Sequence, residues 1–218
     1  MKQGPRHILL LGLGEHATAF YQQYLICLAD GAELELTLKT LDFAELNAFL
    51  PDKYQQLCPR LEKELAQLDW KSFDALLIPN ITLHAAIDRL NLPAEYSKKL
   101  IHPVSATLDL LQQKKIDRIT LAATRHTMQS HQLSTYFSHK GIEVKRPETD
   151  DMQRIDDIRL EVFEAGFSEN AERELTAILR KYQNPLLACT ELSLLNRGET
   201  FLDMGRCQLH RAFDLAGQ

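Results

Sequence analysis

The sequence predicts an α/β protein of two pseudo-symmetric, doubly wound lobes with parallel sheets and an interlobe cleft for a ligand. Three observations lead there. Short apolar runs alternate with helix-period segments along the chain, the pattern of parallel strands joined by crossover helices. The 218 residues are enough for two units of about a hundred each. Two segments share one design: Ala75-Leu76-Leu77-Ile78-Pro79-Asn80-Ile81-Thr82-Leu83-His84 and Leu186-Leu187-Ala188-Cys189-Thr190-Glu191-Leu192. Each is an apolar strand that delivers a polar cluster to the point where the chain turns, which is where open α/β sheets present their chemistry. Asn80 holds in the first segment the place that Cys189 holds in the second.

Residues 8–12 form an apolar run of buried-strand type, and Gly12-Leu13-Gly14 a tight turn. Residues 17–28 carry Phe20, Tyr21, Tyr24, Leu25 and Leu28 at helical spacing. Residues 34–41 alternate apolar and polar side chains, as a more exposed strand does. Asp42-Phe43-Ala44-Glu45 has the form of a helix cap with an acid three residues on. A charged amphipathic helix is expected over 57–68, a central strand over 75–78 and a helix over 83–90. Prolines bracket a connection from 91 to 103. The theme then repeats: helix 104–113, strand 119–123, a helix running through Phe137, a strand from Gly141, helices at 150–163 and 169–182, strand 186–188, a strand-like piece at 201–203 and a closing helix at 208–216. The units 8–28 and 119–137 look like one unit used twice, as do 75–90 and 186–195. The expected lobes are 1–100 with 205–218, and 101–204.

Composition narrows the function. The chain is 44% hydrophobic and 25% charged with a net charge of -5, so nucleic acid is a poor partner and the protein is of ordinary globular type. No apolar run approaches the roughly 20 residues that cross a bilayer, and the run at 8–11 is too short for a signal segment. A cytoplasmic location is the default expectation. There the four cysteines, Cys27, Cys58, Cys189 and Cys207, stay reduced. Their spacing matches no metal motif. Cys27, on the apolar side of the first helix, and Cys58, at a loop or helix start, read as small buried hydrophobes. Gly12-Leu13-Gly14 lacks the third glycine of a dinucleotide fingerprint.

Four segments in order resemble the cofactor-independent aspartate/glutamate racemase family, over nearly the whole chain. Gly12-Leu13-Gly14-Glu15-His16-Ala17-Thr18 is similar to its glycine-rich first loop. Pro79-Asn80-Ile81-Thr82-Leu83-His84 resembles its Pro-Cys-Asn-Thr-x-His signature. Ala123-Thr124-Arg125-His126-Thr127 looks like its Thr-x-Gly-Thr loop, and Ala188-Cys189-Thr190-Glu191 its Gly-Cys-Thr-Glu signature. The tail from Asp203 to His210 resembles a family ending with Asp and His at that spacing. The resemblance implies a two-base proton exchange at the α-carbon of a small acidic amino acid, in a homodimer, without pyridoxal phosphate, metal or other cofactor. In that scheme Cys189 is the acid/base, with Thr82 and His84 as further catalytic candidates. Gly12, Asn80, Thr124, Thr127, Thr190 and Glu191 are candidate substrate-binding residues. A thiol at a strand end, facing a helix start, is expected to have its pKa lowered. Hydroxyls and backbone amides would hold the substrate carboxylate and the developing enediolate.

Three departures matter. Asn80 stands where the family has a cysteine, and a neutral amide has no useful basicity. His126 replaces a glycine, and His16 the usual acid before Ala17. Three readings follow: racemisation with His84, His16, His126 or Thr82 supplying the second face; one-cysteine decarboxylation or lyase chemistry; or carboxylate binding without catalysis. Each candidate also has a plain structural role. His84 can pack at its helix, Glu191 can favour a helix start, Asp203 and His210 can form a helix cap or orient the cysteine loop, and Gly12 and Gly14 can serve backbone geometry.

Overall fold

The computed structural model describes residues 4–217; residues 1–3 and 218, assigned above to the first lobe, lie outside the described residues. The chain forms two compact units, Met1–His102 with Gln208–Gln218 and Pro103–Cys207.

The first unit carries strands β1 (Arg6–Gly12), β2 (Leu34–Thr40) and β3 (Ala75–Leu77), and helices α1 (Glu15–Ala29), α2 (Phe43–Asn47), α3 (Tyr54–Ala66), α4 (His84–Ile87) and α5 (Ala94–Ser97). Its strands are all parallel, in the order β2-β1-β3. The near-continuous apolar run of β1 has a direct physical reason. Side chains alternate faces along a strand, and a central parallel strand is covered on both. Ile8 and Leu10 therefore join Tyr21, Leu25, Ala75 and Leu77 in one core layer, while Leu9 and Leu11 join Leu57, Leu61, Leu76 and Ile78 in the other. β2 lies at one edge, which explains its alternating pattern and the exposed Leu38; β3, expected to be a central strand, lies at the other edge, with the isolated bridge Leu76↔Leu100 beyond it. Asp42 caps α2 by accepting from the Glu45 amide at 3.0 Å.

The second unit carries α6 (Pro103–Gln113), β4 (Arg118–Ala122), α7 (Arg125–Gln129), α8 (Gln132–Ser138), β5 (Glu143–Lys145), α9 (Thr149–Ala165), α10 (Glu169–Leu179), β6 (Pro185–Leu187), α11 (Thr190–Leu194), β7 (Leu202–Asp203) and the start of α12 (Met204–Leu215), whose remainder belongs to the first unit. Its sheet is parallel in the order β5-β4-β6-β7. In both units the first strand in sequence is flanked by the second and the third, so the repeat read from the sequence is present in the topology.

Four expectations about helices and cysteines need correction. The helix through Phe137 is two helices, because Ser130 takes an extended backbone conformation and its hydroxyl donates to the Thr127 carbonyl. The helix at 83–90 shrinks to the single turn of α4. Cys27 is exposed, since Tyr21 and Leu25 turn the buried side of α1 away from it. Cys58 is half-buried inside α3, with its Sγ 3.7 Å from the Ala86 carbonyl oxygen.

A buried polar chain ties α4 to the end of α12 within the first unit. Tyr21 donates its hydroxyl to Gln208 Oε1 at 2.7 Å, and Gln208 Nε2 donates to the Ile101 carbonyl at 2.6 Å. Gln208 Nε2 also lies 3.3 Å from His84 Nε2, which is 3.3 Å from the Ile78 carbonyl oxygen. His84 is 1% exposed and stands edge-on to His102. Burial first, and the neighbouring His102 second, hold its pKa down to about 3.

Two predictions follow from this packing. An unfolded histidine binds its proton near pH 6.5 while His84 in the fold does not, so between about pH 6.5 and 3 the unfolded state takes up more protons, and stability is lost as the pH is lowered. The contribution to the slope approaches about 1.4 kcal/mol per pH unit, and urea melts from pH 7 to 5 should show it shrinking in His84→Gln. At Gly12, an added Cβ would meet Thr18 Cγ2 at 2.9 Å and Leu38 Cδ1 at 3.1 Å. Gly12→Ala should therefore lower the urea midpoint by the equivalent of about 1–3 kcal/mol, through overpacking rather than backbone strain.

Candidate active site

Parallel pairing of β4 with β6, in register Ala122↔Leu187, places two loops side by side at the carboxyl ends of adjacent strands. One begins at Thr124, the other at Cys189. This gathers five of the residues singled out in the sequence: Cys189, Thr190, Glu191, Thr124 and Thr127.

Cys189 follows β6 in extended conformation and is the residue at which α11 begins. It is 6% exposed. Its Sγ donates to Glu191 Oε2 at 2.9 Å, and Thr190 Oγ1 donates to the same oxygen at 3.2 Å. Burial, then the Glu191 carboxylate, push the thiol well above its ordinary pKa, and Arg159 offsets only part of this. The expected lowering of the thiol pKa is therefore reversed. The start of a five-residue helix does not outweigh desolvation and a carboxylate at hydrogen-bond distance. At neutral pH the group is a protonated thiol with a proton acceptor attached.

Thr124 caps α7: its Oγ1 accepts from the Thr127 amide at 3.1 Å and donates to Thr127 Oγ1 at 2.9 Å. Thr127 is buried and Thr124 half-buried. Thr127 and Thr190 thus present hydroxyl groups beside the thiol loop, one passing its bond along a chain and one committed to Glu191. His126 is exposed on α7.

The first unit repeats the layout with different chemistry. Gly12 ends β1 and Asn80 follows β3. Asn80 Oδ1 accepts from the Leu83 amide at 2.9 Å, so the residue in the cysteine's place holds the turn before α4. Thr82 is half-buried in that turn, and Ile81 is buried. The side chain of Thr18 and that of Leu38 occupy the space beside Gly12, so packing accounts for that glycine. Gly14, with φ +76°, turns the chain into α1, where His16 is half-buried. His84 is engaged in the buried polar chain and neutral, which leaves it a weak base and no acid at pH 7. His210 pairs with the Tyr24 hydroxyl at 3.0 Å on the exposed side of α12. Cys207 is buried, and desolvation raises its thiol to about 11. Among the described residues no group of three His, Cys, Asp or Glu side chains is placed to hold a metal ion, and no helix is long and apolar enough to cross a membrane.

Residues behind the thiol loop were not singled out in the sequence. Ser193 and Asn196 bond to the buried Asp203, and Arg159 lies near enough to act on the thiol. Ser193 sits inside an apolar run, and neither its spacing nor its type marks it.

Comparison with known proteins fits this layout. The family model for Asp/Glu/Hydantoin racemase matches residues 10–201. A protein from Yersinia pestis assigned as an Asp/Glu racemase is 22% identical, with 99% of this chain and 100% of that one covered and a TM-score of 0.79. An aspartate racemase homologue from Pyrococcus horikoshii is 18% identical, with full coverage of both chains and a TM-score of 0.78. The aspartate racemase of Picrophilus torridus is 16% identical over 98% of this chain and 95% of its own, with a TM-score of 0.77. No curated protein matches by sequence. With the family model spanning most of the chain, and the thiol loop and its parallel sheet in place, the protein belongs to the Asp/Glu/Hydantoin racemase family.

Proposed function

We propose that the chain is a cofactor-independent isomerase that moves a proton at the α-carbon of aspartate, glutamate or a similar small acidic amino acid, with Cys189 carrying the proton. The observation that supports this most directly is the 2.9 Å contact between Cys189 Sγ and Glu191 Oε2. It joins a nucleophilic proton carrier to an acceptor in a dry setting. For deprotonation, Glu191 takes the S–H proton and the thiolate removes the α-proton. Return of the proton by Cys189 itself, with the S–H bond breaking as the new C–H bond forms and the thiol recovering a proton through Glu191, gives exchange without inversion. Inversion takes a proton on the opposite face from a second group, for which His16, His126 and Thr82 are the sequence candidates, that group being reprotonated from water as Glu191 releases its proton to water. Donors that reach the substrate carboxylate matter most, because charge accumulates there as the enediolate forms. Thr127, Thr124 and Thr190 are the hydroxyls beside the thiol for that purpose. The family resemblance adds a homodimeric assembly, and the cytoplasmic setting is the default expectation from the sequence.

One observation favours a second reading. Asn80, bonded to the Leu83 amide, offers no proton to exchange. A single thiol is sufficient where loss of carbon dioxide from a substituted malonate leaves a carbanion that Cys189 protonates once.

Incubation in deuterated water with each enantiomer of aspartate and glutamate, followed by NMR and chiral analysis, tests the reading. α-Proton exchange with inversion is the expected outcome. Exchange without inversion would restrict Cys189 to one face, and no exchange beside carbon dioxide release from a malonate would favour the second reading. Cys189→Ala should retain a cooperative melt and lose about 10²–10⁴-fold in exchange rate; full activity would remove Cys189 from its role. Glu191→Gln should move the titration of the thiol to lower pH, since a like charge is removed, while slowing exchange by about 10²-fold or more. An unchanged pH profile would exclude Glu191 as its partner.

A further inference from the structure

A buried carboxylate, that of Asp203, lies behind the thiol loop and bonds to the residues that follow Cys189. Asp203 ends β7, whose register Leu187↔Asp203 sets it two residues short of the thiol on the neighbouring strand. It is 3% exposed. Its Oδ1 accepts from the Ser193 hydroxyl at 2.8 Å and from the Arg206 amide at 3.1 Å. Its Oδ2 accepts from Asn196 Nδ2 at 3.4 Å and faces Arg206 Nε at 3.4 Å. Ser193 and Asn196 lie on and just beyond α11, the helix that Cys189 begins, and Ser193 Oγ is also 3.3 Å from the Cys189 carbonyl oxygen.

The far end of this arrangement is fixed as well. Arg206 Nη2 donates to the Asn196 carbonyl at 2.8 Å, and Nη1 meets Glu199 Oε1 at 2.9 Å. Asn196 is locked by two bonds to Phe201, one from Nδ2 to the carbonyl at 3.0 Å and one from the Phe201 amide to Oδ1 at 3.2 Å. Ser193, Asn196, Asp203 and Arg206 are all buried. A buried carboxylate costs free energy unless donors surround it, so each donor here is constrained by the need to satisfy it. A five-residue helix has too few internal bonds to set its own orientation. Its roll about its axis decides where Cys189 and Glu191 point.

We propose that Asp203 is a positioning residue for Cys189: by gripping α11 through Ser193 and Asn196, it fixes the roll that sets the thiol against Glu191. This deepens the function proposed above and rests on it for its catalytic meaning, although the geometry itself is independent of substrate. Loss of the grip lets α11 roll, moves the thiol from the carboxylate toward water, and lowers the energy needed to ionise it.

The test reads Cys189 directly. The rate of carbamidomethylation at Cys189 by iodoacetamide is followed by peptide mass spectrometry from about pH 7 to 10, where thiolate formation controls it. Wild type is compared with Asp203→Asn, Ser193→Ala and Asn196→Ala, and with Leu175→Ala as a control that destabilises the same unit from α10 without touching this network. The expected result is a shift of the Cys189 profile to lower pH in Asp203→Asn and Ser193→Ala, with modification at pH 8 about tenfold faster for each pKa unit lost. Leu175→Ala should leave the profile in place. In the exchange assay, kcat should fall in Asp203→Asn with KM little changed. If Asp203→Asn fails to fold, Ser193→Ala and Asn196→Ala carry the test. A wild-type profile in the folded variants overturns the proposal, as does an equal shift in Leu175→Ala. Absence of exchange in wild type would count against the proposed function alone, because the alkylation profile still reports on Asp203.

Discussion

Coverage of the two central strands on both faces is the constraint from which the rest of the structure follows. β1 and β4 each lie between two parallel neighbours, and residues 8–12 of the one and 119–122 of the other are buried on both faces. Every polar group that the chain must present is thereby displaced to the strand ends. Gly12 stands at the last paired position of β1, and Asn80, Thr124 and Cys189 stand two or three residues beyond the last paired position of their strands. The sites are set out by the sheet, and the loops only decide what is offered at each.

At the thiol loop, burial and charge act in the same direction. Desolvation disfavours the thiolate, and a carboxylate at 2.9 Å disfavours it again. A thiolate held ready at rest would need donors facing the sulfur, as a cationic neighbour or amides provide. Arg159, itself paired with Asp156 at 2.7 Å, and the Glu191 amide favour the thiolate but offset only part of these two effects. The resting pair is therefore a thiol and its acceptor. Chemistry that begins with proton donation suits that state directly, while proton abstraction first needs transfer within the pair.

The fold was legible because it rests on periodicity. The apolar run at 8–12, the alternation at 34–41 and the cap at Asp42 each follow from local geometry, and each is present in the structure. The break between α7 and α8 was not legible, because it depends on one serine leaving helical conformation. Cys27 was misplaced because the stripe of α1 is narrow: Tyr21 and Leu25 define it, while Ile26 and Cys27 face out. The thiol loop was visible through residue type. Its supports were visible only in part: Asp203 stood out as able to orient the loop, but nothing marked Ser193 or Asn196, and the three meet only when β7 pairs with β6. The direction of the thiol pKa was missed for the same reason. It depends on the distance to Glu191 and on burial, and a sequence carries neither.

Asn80 shows how one loop can lose its acid and keep its shape. After a strand the chain must turn into a helix, and the first amides of that helix need acceptors. Asparagine provides one through Oδ1, which takes the Leu83 amide at 2.9 Å. The equivalent position in the second unit is filled by Cys189, whose side chain makes no such cap and bonds instead to Glu191. The second loop therefore needs an external hold on its helix, and the Asp203 network is that hold. The first loop is stabilised from within by Asn80 itself. A cysteine at position 80 would remove the cap along with the amide, so proton-transfer capacity and local stability are in opposition there.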